Sequence, residues 1–140
     1  MSDRQPSPTS ITVRVYWEDT DGGGVVYYAN YLRFLERART EWLRARGFDQ
    51  SRLKAEEDLV FAVRHVGVDF RLPARLDDEL RVSARVATVG RSRVRFEQTV
   101  HRGDELLVEA VVDTACLTAS TFKPARIPEH LKRVLEGPTE

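Results

Sequence analysis

Near the start of the chain, apolar and polar residues alternate: Ile11, Val13, Val15 and Trp17 are separated by Thr12, Arg14 and Tyr16. A period of two predicts a strand with one buried face. The pattern stops at Glu18-Asp19-Thr20-Asp21-Gly22-Gly23-Gly24, where carboxylates and glycines favour a sharp, exposed connection. After Val25-Val26-Tyr27-Tyr28 the period changes. Tyr31, Leu35, Ala38, Trp42 and Ala45 recur at steps of three and four. Phe34 and Leu43 flank them, and Arg33, Arg37, Thr40 and Arg44 mark the opposite face. This predicts one long amphipathic helix from about Ala29 to Arg46, stopped by Gly47 in the left-handed conformation. A shorter helix is expected from Ser51 to Asp58, with Ser51 as its cap.

From Leu59 onward the pattern is that of strands. Leu59 to Leu72 is rich in Val and Phe and ends at Pro73. Leu80 to Val89, Val94 to Val100 and Leu106 to Leu117 follow, with Arg102-Gly103-Asp104 as a hairpin turn. A short helix is expected after Pro128. Consecutive strands joined by short turns pair antiparallel, and one long helix can cover the face such a sheet must hide. The expected class is α+β: a curved antiparallel β-sheet wrapped around one long central α-helix, with an edge open to a second copy. Residues 1–10, polar with two prolines, are expected to form a flexible tail, and residues 11–140 a single domain.

A length of 140 residues suits one such domain. Hydrophobic residues make up 41% and charged residues 31%, enough apolar material for a core. The 22 basic and 22 acidic residues cancel, which argues against a nucleic-acid binder working through bulk positive charge and is tolerable in a chain that self-associates. The one cysteine, Cys116, excludes an intrachain disulfide and a Cys-based zinc site. Set among Val, Ala and Leu, it reads as a small core residue rather than a nucleophile. No apolar run approaches the ~20 residues that cross a bilayer, and the first residues lack the apolar stretch of a secretory signal. A cytoplasmic protein is expected.

Phosphate-loop, dinucleotide-binding, zinc-protease and serine-elbow motifs are missing from the sequence. His65, His101 and His130 have no ligand spacing, so no metal site is expected. The dense segment is Glu18 to Tyr31. Its Asp19-x-Asp21 start invites comparison with a calcium loop, but the twelfth position is Asn30 and the bidentate glutamate is missing. The geometry suggests other chemistry. Carboxylates sit where a strand ends, and a helix begins a few residues later with unpaired, partly positive N–H groups. Such donors can hold the negative charge that develops on a carbonyl oxygen. A nearby carboxylate can attack the carbonyl carbon or draw a proton from water. An acidic glycine turn with a capping aspartate accounts for the same residues without chemistry, and on residue types alone both readings stand.

The run Tyr16-Trp17-Glu18-Asp19-Thr20-Asp21-Gly22-Gly23-Gly24-Val25-Val26-Tyr27-Tyr28-Ala29-Asn30-Tyr31 closely resembles the signature of hot-dog-fold acyl-CoA thioesterases of the 4-hydroxybenzoyl-CoA thioesterase type. Phe34 to Glu41 and Pro73 to Asp78 are similar to the YbgC-type branch, associated with the Tol–Pal envelope system. The resemblance implies hydrolysis of an acyl-CoA to a free acid and coenzyme A, with no metal or bound cofactor. It implies a homodimer, or a homotetramer built from two dimers, with active sites at the dimer interface. It assigns the catalytic carboxylate to Asp21, as nucleophile or general base, with Asp19 as the rival and turn-former. It assigns the oxyanion donor to the backbone amide of Tyr28, a position where YbgC-type members often carry histidine. The substrate is expected to lie along Gly24, Val25 and Tyr27, with Val26 beside them. The coenzyme A phosphates are expected at Arg91, Ser92 and Arg93, with Lys123 and Arg126 as weaker candidates. The alternatives are a hot-dog module that binds acyl groups or a partner without turnover, and a dehydratase, which would want a histidine in the motif.

Overall fold

A computed structural model describes residues 9–137. Most of the expected N-terminal tail, residues 1–8, lies outside the described residues. Five strands form one antiparallel sheet: β1 (Thr9–Arg14), β2 (Leu59–Phe70), β3 (Glu79–Val89), β4 (Arg93–Arg102) and β5 (Glu105–Thr118), in the order β1-β3-β4-β5-β2. Three helices accompany it: α1 (Asn30–Ala45), α2 (Gln50–Glu57) and α3 (Glu129–Glu136). The architecture is α+β as expected, with α1 packed on β1 and β3.

The core forms where the two periodicities meet. From α1 come Tyr31, Phe34, Leu35, Ala38, Trp42 and Leu43. From the sheet come Leu80, Val82, Ala84 and Val86 of β3, Val94, Phe96 and Val100 of β4, and Val108, Ala110 and Val112 of β5. Burying each large side chain is worth about 1.5–3 kcal/mol, which fixes α1 against the sheet. The one polar side chain in this layer from β4, Gln98, is fully used. Its amide donates to the carbonyls of Leu35 and Ser83 at 3.0 and 3.1 Å, and its Oε1 accepts from Arg39 at 2.9 Å.

The structure corrects several boundaries. β1 begins at Thr9 and ends at Arg14. Val15 is buried as expected, but Trp17 is 64% exposed and starts a single 3-10 turn, Trp17–Asp19. The cause is local: the Asp19 carboxylate accepts from the Tyr16 N–H at 2.9 Å, which turns the chain before the alternation completes. Ala45, expected on the buried face of α1, is exposed in its last turn. The cap of α2 is Asp49 rather than Ser51, because its Oδ1 accepts from Ser51 N–H at 2.8 Å. Gly47 takes φ 89° as expected.

β2 lies at one edge of the sheet, with only β5 beside it. Its other edge pairs with no strand among the described residues along its twelve residues, and Val63 and Phe70 are about half exposed. No helix among the described residues is long and apolar enough to cross a membrane.

Candidate active site

The loop between β1 and α1 folds back on itself. Asp21 N–H donates to Val25 O at 3.0 Å, and Thr20 and Val26 form an isolated antiparallel bridge. The tip between them needs positive φ at Gly22 (89°) and Gly24 (91°), a region costly for residues with a Cβ. Gly23 has a different reason: a Cβ there would lie 3.1 Å from Asp21 Oδ1. Without one, the Gly23 N–H donates to that oxygen at 2.7 Å and aims the carboxylate. Asp21 is exposed, and its second oxygen accepts no bond from the described residues.

Asp19 has a different task. Its side chain closes the 3-10 turn, and its carbonyl accepts from Tyr27 N–H at 3.0 Å and Asn30 Nδ2 at 2.9 Å. With both ends engaged, Asp19 binds the start of the loop to the start of α1. The Tyr28 N–H, one residue outside the helix cap, finds no acceptor among the described residues. A free donor at the positive end of a helix can stabilise a developing oxyanion. Rings surround it. Tyr28 lies 4.9 Å from Tyr27 and 6.3 Å, edge-on, from Phe70, which also meets Tyr31 at 5.6 Å. The Tyr27 phenol is pushed up from its ordinary value by its hydrogen bond with Tyr28, then by the charge of that group. Of the other expected contacts, Gly24 and Val25 are half-buried and Val26 is buried.

The turn between β2 and β3 was singled out in the sequence only by likeness, and it proves central. Val26 N–H donates to Ala74 O at 2.9 Å, Leu76 N–H donates to Gly24 O at 3.0 Å, and Val25 bridges Arg75. The same turn holds the loop's other end: Val15 N–H donates to Asp78 O, and Asp77 N–H to Val15 O, both at 2.9 Å. Pro73 and the Asp77-Asp78 pair were the available turn signals, with Asp77 at φ 72°.

Arg91, Ser92 and Arg93 are not brought to Asp21 within one chain. They form the β3–β4 turn, whereas the loop sits where β3 begins. β3 has 11 residues, a span of roughly 35 Å. The backbone of this turn is used by its neighbours: Ser92 O accepts from Cys116 N–H and Arg91 O from Ile127 N–H. Near that far end, beside the free edge of β2, lies a cavity of about 140 Å³ lined by Arg39, Thr40, Leu43, Phe61, Val63 and Phe96, among others. Sequence reasoning placed Thr40 and Leu43 on the helix, Phe96 in a strand and Arg39 in the resembling run, and expected an acyl pocket partly along that helix, but did not point to Phe61 or Val63 in it. Burial lowers the Arg39 guanidinium from its ordinary value, against the charge of Glu36. Cys116 is fully buried, and burial, followed by the charge of Glu57, pushes its thiol up to about 11. The histidines are scattered: His65 lies 3.8 Å from Asp113, and His130 lies 3.2 Å from Glu57.

Known proteins resemble this chain over most of its length. The chain is 45% identical over 123 residues to the acyl-CoA thioesterase YbgC of Haemophilus influenzae, covering 88% of this chain and 90% of that one. It is 33% identical over 133 residues to the YbgC of Helicobacter pylori, covering 89% and 97%. Among solved structures, a probable thioesterase from Bartonella henselae superposes with a TM-score of 0.83 at 38% identity, covering 87% of this chain and all of that one. The model of one family, described as the thioesterase superfamily, matches residues 23–109, from the glycine tip to Glu109 in β5. With loop, helix and sheet all inside these matches, the chain belongs to the thioesterase superfamily.

Proposed function

We propose that this protein hydrolyses acyl-CoA thioesters to a free acid and coenzyme A. One observation carries the reading: a short loop presents an exposed carboxylate, Asp21, and an unengaged amide, that of Tyr28. The thioester carbonyl oxygen lies against the Tyr28 N–H. Asp21 either draws a proton from the attacking water or attacks the carbonyl carbon itself, and both routes need it ionised. On either route the carbon–sulfur bond breaks and the sulfur leaves as coenzyme A thiol with a proton; on the first, water's oxygen ends in the acid, and on the second the mixed anhydride left on Asp21 is hydrolysed by water, which releases the acid and restores the carboxylate. Water is the only co-reactant, and no metal or cofactor enters the steps.

The site is shared between two copies. The free edge of β2 supports pairing with the same strand of a second chain. A two-fold axis perpendicular to the sheet sets the two β2 strands antiparallel. The far end of one sheet then lies beside the near end of the other. The cavity and the 90–93 turn of the partner come to the Asp21 end, where the cavity takes the acyl group and the arginines take the coenzyme A phosphates. A cavity near 140 Å³ compares with the ~150 Å³ that holds one benzene ring, so short or single-ring acyl groups fit it. A link to the Tol–Pal envelope system rests on the YbgC likeness alone, whereas a cytoplasmic setting fits the single, unpaired Cys116.

The test is a thiol-release assay over short, long and aromatic acyl-CoAs, comparing the parent with Asp21→Asn. Buried Cys116, with its thiol at about 11, stays silent to the reagent at pH 8. The variant is expected to keep its fold and lose about a thousand-fold in kcat, within the range for a positioned acid or base. Turnover at the parent rate would overturn the role of Asp21. No coenzyme A release by the parent on any substrate would favour a binding module.

A further inference from the structure

The turn that holds the Asp21 loop is itself held from elsewhere in the fold. Arg102, at the end of β4, donates from Nη1 to Asp78 Oδ2 at 2.7 Å and to Pro73 O at 3.3 Å. Its Nε donates to Glu105 Oε1 at 3.0 Å, across the β4–β5 hairpin. Asp78 Oδ2 also accepts from Arg75 N–H at 2.8 Å. One guanidinium thus ties the first and last residues of the 73–78 turn together and fastens both to a rigid hairpin. A planar guanidinium suits such a multiple grip, since its donors leave in fixed directions. The ion pair is mostly covered: the side chains of Arg102 and Asp78 are 27% and 21% exposed.

The bonds that join the turn to the loop are main chain. Ala74 O and Leu76 N–H hold Val26 and Gly24. Asp78 O and Asp77 N–H hold Val15. These are the two feet of the loop that carries Asp21 and ends at Tyr28. A shift of the turn therefore moves both feet together, and with them the spacing between carboxylate and amide.

We propose that Arg102 is a positioning residue for the thioesterase site: by clamping the 73–78 turn, it sets the separation of the Asp21 carboxylate and the Tyr28 amide. Arg102 touches no substrate in this role; it acts through Asp78 and the turn. The inference rests on the proposed roles of Asp21 and Tyr28, but half of its test does not.

The test compares parent, Arg102→Met, Arg102→Lys and Asp78→Asn in the full-length chain. Amide hydrogen exchange is read at Val26 and Leu76, two of the four donors that join turn and loop. Arg102→Met should speed exchange at both, while amides in the middle of β4 stay protected. Its kcat should fall about ten-fold or more with KM within two-fold, since a small misplacement of reacting groups acts on the transition state. Arg102→Lys, which can still reach Asp78, should recover most of kcat. Asp78→Asn keeps an oxygen for the Arg75 amide and loses the charge, so it reads the same brace if the methionine variant folds poorly. Unchanged exchange in both the methionine and asparagine variants would show that no brace exists. Faster exchange with parent kcat would show that the brace does not reach the site. Either result overturns the proposal. Failure of the Asp21 assignment shows separately, as parent-rate turnover by Asp21→Asn.

Discussion

Replacing Tyr31 with phenylalanine removes a single oxygen from a position that is 3% exposed. That oxygen accepts the Ala74 N–H at 3.0 Å, and Ala74 has no exposed surface. No water can reach the amide once the acceptor is gone, so the donor stays buried and unpaired. Such a group costs about 1–3 kcal/mol. The ring itself stays, and with it the edge-on contact to Phe34 at 6.1 Å and the contact to Phe70 at 5.6 Å, so no packing loss adds to the figure. A loss of about 2 kcal/mol should lower Tm by about 4–8 °C in a chain of this size. The control is Tyr28→Phe, where the ring is 63% exposed, so its hydroxyl should matter by less than about 0.5 kcal/mol. Thermal and urea unfolding of parent and both variants, followed by far-UV circular dichroism, provide the measurement. If Tyr31→Phe unfolds with Tyr28→Phe rather than well below it, the Tyr31–Ala74 bond does not fasten the turn to α1, and the account of how the loop is held is wrong.

Two further outcomes follow from the same contacts. The shared site predicts complementation: a chain carrying Asp21→Asn and one carrying Arg91→Glu with Arg93→Glu, each weak alone, should recover about a quarter of parent activity when co-expressed, since half the dimers are mixed and each mixed dimer has one intact site; a mixture no more active than its parts would place the whole site in one protomer. The Asp78–Arg102 pair predicts a pH dependence. Burial alone would raise the Asp78 carboxyl, but the Arg102 hydrogen bond, the Arg75 amide and the charges of both arginines hold it below its ordinary value. A depressed carboxyl contributes stability above its unfolded pKa and loses it as pH falls through the folded value. The stability gap between parent and Arg102→Met should therefore be constant at neutral pH and shrink only below about pH 4, and a gap that stays constant down to pH 2 in urea titrations would contradict the pairing.

The long helix, the strand-rich second half and the hairpin at Gly103 were legible because each depends on local pattern. Tyr31, Leu35, Ala38 and Trp42 keep helical spacing whatever surrounds them, and they are the buried face. Trp17 was misread because alternation alone does not reveal that Asp19, two residues on, captures the Tyr16 amide. Asp49 displaced Ser51 as a cap because a carboxylate one residue before the helix reaches the same amides. The Asp21 loop was visible in its glycines, whereas Arg102 was not. Its partner Asp78 lies 24 residues earlier in the chain, and no periodicity or motif joins an arginine at the end of one strand to an aspartate before another. Beyond its wall of central helix, the 140 Å³ cavity was not legible for a similar reason: its walls come from three helices and three strands.

The loop owes its shape to peptide groups. Most of the bonds that fold it and fasten its feet join amides to carbonyls, and the rings at Tyr27 and Tyr28 stand outside that frame. Side chains there can be exchanged without rebuilding the scaffold beneath them. In a lineage using this design the exposed rings can vary while the peptide frame passes unaltered from one member to the next.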